Sequence, residues 1–82
     1  MIDKPGNLYA VHNGDYAGQL FALVKKEEHC YNCLRMPDMK NISVPKDDFK
    51  DGKKKEIIRF IEKAPKEVFD VITAQYEKNS NN

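Results

Sequence analysis

Cys30-x-x-Cys33, with His29 beside it, is the stretch whose residue types and spacing come nearest to a reactive site. Zinc needs four ligands, and one such arm supplies two. His12 and His29 could complete the set on paper, but His29 adjoins Cys30, and neighbouring side chains seldom point at one ion. A redox pair wants its first cysteine at a helix N-terminus, where the dipole lowers the thiol pKa. Here the context reads as a strand, which sends positions 30 and 33 to opposite faces. The simpler reading is that Cys30 is an inert core thiol. No metal and no cofactor are expected.

Other catalytic groups are sparse. Ser43 lies in a short strand pattern and Ser80 in a polar tail, so no serine triad is apparent. A pairing of His12 with Cys30 or Cys33 lacks a third, orienting group. Asp47-Asp48 and Glu27-Glu28 read as solvated turn residues. Gly14-Asp15-Tyr16-Ala17-Gly18 lacks the Lys-Ser/Thr of a phosphate loop and the helix that would follow it. The expectation is a chain that is not an enzyme.

Binding chemistry has more support. Tyr9, Tyr16, Phe21 and Tyr31 lie in or beside strand-like segments, with Lys25, Lys26 and Arg35 nearby. Aromatic residues on a sheet beside cations can stack bases and hold phosphates. Exposed tyrosine and arginine serve equally as anchors in protein interfaces. The net charge decides between these readings. It is +1, divided as −1 over residues 1–52 and +2 over residues 53–82, whereas non-specific nucleic-acid binding draws its affinity from an excess of Lys and Arg. A protein partner is therefore the preferred expectation, with Tyr16, Tyr31, Arg35, Lys25 and Lys26 as candidate binding residues. Nucleic acid is the alternative.

These residues must be positioned by a small scaffold. Eighty-two residues make one domain with one modest core, and 40% hydrophobic with 33% charged residues suits a globular chain. No apolar run approaches the roughly 20 residues that cross a bilayer. Met1 to Gly6 lacks the apolar stretch of a secretory signal, so no membrane and a cytoplasmic location are expected.

Leu8–His12 reads as a first strand, closed by the turn signal Asn13-Gly14-Asp15. Gln19–Lys26 is a second, with Leu20, Ala22 and Val24 on one face and Phe21 and Leu23 on the other. Two apolar faces imply a strand covered on both sides or one curling across a barrel. Cys30–Met36 is a third; its alternation puts Tyr31 and Arg35 opposite Cys30 and Leu34. Asn41–Pro45 is a fourth, whose proline favours an edge. Beyond Asp51-Gly52, Ile57, Phe60, Ile61 and Ala64 recur at helical spacing, which predicts a helix over residues 53–64. Lys53-Lys54-Lys55 would then open that helix against its dipole. Val68, Phe69, Ile72 and Tyr76 form a stripe that predicts a second helix over 66–78, and residues 79–82 read as a polar tail.

The segment from Val11 to Phe49, above all Gly14-Asp15-Tyr16-Ala17-Gly18-Gln19-Leu20-Phe21-Ala22-Leu23-Val24 followed by Ser43-Val44-Pro45, resembles the small SH3-like barrels that include KOW-motif domains. The resemblance covers about half the chain and carries over Gly14 and Gly18 in a structural role. It implies a docking module for RNA, DNA or protein of the kind found in transcription and translation factors. The combined expectation is an α+β domain over residues 1–78: a small curled antiparallel sheet or SH3-like partial barrel, followed by two C-terminal helices. Its expected function is a non-catalytic interaction module that regulates or inhibits a larger protein, with the size and character of a phage-type accessory protein.

Overall fold

The chain reverses between its first two strands through Gly14 and Gly18, whose φ angles of +88° and +87° fall where a side chain would be strained. The Gly18 N–H donates to the Val11 carbonyl at 2.9 Å, closing the loop on the strand it leaves. The computed structural model describes residues 2–81. Strand β1 (Asn7–Val11) leads through this loop to β2 (Leu20–Lys26), β3 (Cys30–Met36) and β4 (Lys40–Pro45), an antiparallel meander. Helix α1 (Lys46–Lys54) follows, then β5 (Ile58–Lys63), which returns to pair antiparallel with β1, and helix α2 (Lys66–Ser80). The strand order is β4-β3-β2-β1-β5, an α+β arrangement.

The expected helix over residues 53–64 is not formed. The helix lies earlier, at 46–54, and residues 58–63 are a strand. Helix α1 carries Asp47 and Asp48 in its first turn and Lys53 and Lys54 in its last, so both charge clusters complement the dipole. The conflict expected of the lysine run vanishes because those residues end the helix. Its stop is a Schellman arrangement: the Glu56 N–H donates to Lys53 O at 3.1 Å and the Ile57 N–H to Gly52 O at 2.8 Å. Glu56 takes the left-handed conformation there, at φ +59°, in a place where glycine is the usual signal. The run that follows fits both periods, but its three isoleucines and one phenylalanine suit a pleated surface. Pairing Val11 with Ile58 and Tyr9 with Phe60 secures β5 on the open side of β1.

Each face of the sheet is covered by one helix, the first of the two arrangements that the apolar faces of β2 allow. On one face Tyr9, Val11, Phe21, Leu23, Tyr31 and Cys33 pack with Phe49 of α1 and Ile58. On the other, Ala22 and Leu34 pack against Ile72 of α2. Helix α1 touches both edge strands, β4 and β5. Close approach is possible because Gly52 lies against Ile58, where even a Cβ would come within 2.8 Å of Ile58 Cδ1.

Helix α2 runs two residues further than expected. Asn79 Nδ2 donates to Met39 O at 2.8 Å and to Asn41 Oδ1 at 3.0 Å, which ties the helix end to the β3–β4 turn instead of leaving a free tail. Its apolar stripe is also narrower: Ile72 is buried and Phe69 and Tyr76 are half-buried, but Val68 is exposed. Among the described residues no helix is long and apolar enough to cross a membrane.

Candidate functional site

Of the five binding residues expected from the sequence, Tyr31 is displaced into the core. It does share a face with Arg35, opposite Leu34, but that face is the one α1 covers. Its ring stands edge-on to Phe49 at 5.0 Å and the residue is 5% exposed, so it offers no anchor to a partner. Burial raises its pKa. Arg35 is held in place by its neighbours. Its Nε donates to Asp38 Oδ1 at 3.2 Å and its Nη2 to Asp38 Oδ2, and its guanidinium lies 5.2 Å from the centroid of the Tyr16 ring. That bidentate bond holds the Asp38 carboxyl below its usual range. Tyr16 is half-exposed at the tip of the β1–β2 loop.

Lys25 and Lys26 are exposed at the far end of β2, and Lys25 pairs with Glu27 at 3.4 Å. Arg35 pairs with Phe21 in the register, four residues before Lys25. At strand rise this puts roughly 13 Å between Lys25 and the Arg35–Tyr16 cluster, and more for Lys26. The three cations do not form one patch. Nor do the aromatics form an exposed platform, since Tyr9, Phe21 and Tyr31 are all buried.

The cysteines do sit on opposite faces, but their roles are exchanged. Cys33 is the inert core thiol, fully buried, while Cys30 is half-buried. Burial, with a smaller contribution from the charge of Cys30, pushes the Cys33 thiol up to about 12. Among the described residues no three His, Cys, Asp or Glu side chains converge on a point that could hold a metal ion.

A second polar cluster lies under the N-terminal end of β1. Asp3 is 8% exposed and accepts a hydrogen bond from the Tyr9 hydroxyl at 2.6 Å and from Lys53 Nζ at 2.8 Å. Asn7 Nδ2 donates to the same hydroxyl at 3.0 Å. Burial first, and then the bond to Asp3, raise the Tyr9 pKa. Every member has a partner, so the cluster acts as a tie between the chain start, the sheet and α1.

The feature that sequence reasoning missed is a groove of about 460 Å³ on the α1 face, bounded by the β1–β2 loop, the end of β4 and α1. Its apolar lining comes from Val11, Phe21, Ile42, Val44, Ile57 and Ile58, which belong to four strands and one turn. Asp15, Asp48 and Asp51 stand at its rim, all exposed, and no Lys, Arg or His lines it. Asp48 had read as a solvated turn residue. Its place just after Pro45, at a helix start, was the signal available. Nothing local could bring Ile57 beside Val44.

The sequence matches no protein-family model, no curated protein and no solved structure at a significant level.

Proposed function

We propose that this chain is a non-catalytic, cytosolic interaction module whose docking surface is the groove between the β1–β2 loop, β4 and α1. The observation that carries the reading is that groove: an apolar floor left open beside a helix, in a domain whose sheet is otherwise covered on both faces. Concave apolar sites with a few polar groups at the margin are where protein surfaces most often receive a ligand. Nucleic-acid binding receives less support, because the aromatics that would stack bases are buried and the cations that would hold phosphates are dispersed. Regulation or inhibition of a larger protein partner is the role that suits a module of this size.

The test is site-specific photo-crosslinking in cells. A photoreactive residue at Asn13, exposed in the β1–β2 loop and lining the groove, should capture one discrete partner protein. The same residue at Lys78, exposed near the end of α2 and away from the groove lining, should not. Identical products from both positions, or nucleic acid captured at Asn13, would overturn the proposal.

A further inference from the structure

The charge distribution around the groove names the chemistry of its occupant. Asp15, Asp48 and Asp51 line the rim, and among the groove-lining residues there is no cation to balance them. Asp51 is bonded to Lys55 at 2.9 Å, on a pair that is more than half exposed at both ends. Asp15 and Asp48 have no ion-pair partner within 4 Å among the described residues. Elsewhere Asp3, Glu27, Asp38, Glu56 and Asp70 are each matched by a basic neighbour, while the exposed Asp47, Glu62, Glu67 and Glu77 share no ion pair among the described residues. The rim is thus set apart by three carboxylates gathered on one apolar groove and not by the lack of partners alone. The whole chain carries +1, so the acidic rim is a local reversal of the overall sign. A groove with an apolar floor and a one-signed rim favours a ligand that is apolar at its centre and oppositely charged at its edge.

Resting on the docking role of the groove, we infer that its partner is a protein segment in which Lys or Arg residues flank an apolar side chain. The apolar side chain fills the space above Phe21 and Val44, and its neighbouring cations face Asp15 and Asp48. Acidic and polyanionic segments are disfavoured by the same carboxylates. The contribution of the rim falls with added salt, because these carboxylates are solvent-exposed.

The probes are two short synthetic peptides of equal length, one alternating Leu with Arg and one alternating Leu with Glu, titrated into the isotope-labelled full chain. Amide NMR shifts report where each binds. The Leu–Arg peptide should shift Val11, Tyr16, Ile42 and Val44 together, and the Leu–Glu peptide should leave them unmoved. Asp15→Asn and Asp48→Asn should each weaken binding about two- to fivefold, the range of an exposed ion pair, and the loss should shrink at high salt. Both aspartates are exposed, so neither change should alter the fold, which an unchanged spectrum elsewhere verifies. Equal binding of the two peptides, shifts confined to other surfaces, no binding by either peptide, or full affinity in the double Asp→Asn variant would each overturn the inference. In those cases a single protein still crosslinked from Asn13 would leave the docking role standing with a different partner chemistry. Loss of that site-dependent crosslink would remove the docking role itself.

Discussion

Lys53 Nζ lies 2.8 Å from Asp3 Oδ1, an ion pair between side chains fifty positions apart in the chain. The same carboxylate accepts the Tyr9 hydroxyl, so one buried acceptor joins the chain start, the central part of β1 and the end of α1. Asp3→Ala should cost about 1–3 kcal/mol, since it leaves a buried hydroxyl and a partly buried ammonium without their acceptor. Chemical denaturation of wild type and variant measures this directly. An unchanged midpoint would show that the chain start contributes nothing to the fold.

Gly52 gives a second check on how α1 is seated. With Ile58 Cδ1 only 2.8 Å from the position of a Cβ, Gly52→Val must push α1 away from β5 or force Ile58 off its rotamer. The expected cost is about 1–3 kcal/mol, as for other overpacked contacts. Thermal unfolding of the variant would read it.

Glu56 should behave in the opposite sense. It holds a positive φ at the helix stop, where a non-glycine residue is strained. Glu56→Gly should therefore stabilise the domain by about 0.5–1 kcal/mol, after the greater freedom of glycine in the unfolded chain is subtracted. A lower melting temperature would mean that the Arg59–Glu56 contact at 3.9 Å outweighs the strain.

Two α2 residues separate core from surface. Ile72 is buried against Ala22 and Leu34, so Ile72→Ala should cost about 2–5 kcal/mol. Val71 is 69% exposed, and Val71→Ala should fall within about 0.5 kcal/mol of wild type. Equal losses in the two variants would require a different rotation of α2.

Alkaline pH should unfold this domain progressively. The unfolded Cys33 thiol titrates near 9.0, whereas burial holds the folded thiol up to about 12. Between those values the unfolded state gives up a proton that the folded state keeps. The stability tied to the neutral thiol is therefore complete below about pH 9 and is lost as pH rises through about 12. The maximal slope is about 1.4 kcal/mol per pH unit for one such group. Tyr9, also raised by burial, adds a loss of the same sign. Denaturation curves from pH 8 upward should show the decline, and Cys33→Ala should reduce it.

The sequence by itself determined what local patterns can encode. The alternation over Cys30–Met36 assigned Tyr31 and Arg35 to one face and Leu34 to the other, and the glycines at 14 and 18 marked the loop their φ angles require. Two apolar faces on β2 were compatible with a sheet covered on both sides or a strand curling across a barrel, and Pro45 ends an edge strand as expected. The tertiary structure alone decided residues 46–64. There the apolar run fits a helix and a strand equally, and Glu56 hides the helix stop that a glycine would have announced. Only the open edge of β1, far away in the chain, selects the strand. The same non-local step buries Tyr31 under Phe49, and it assembles the groove from Val11, Phe21, Val44 and Ile58. Exposure belongs to what packs above a residue, and in this fold the covering element was the one whose position no local period could fix.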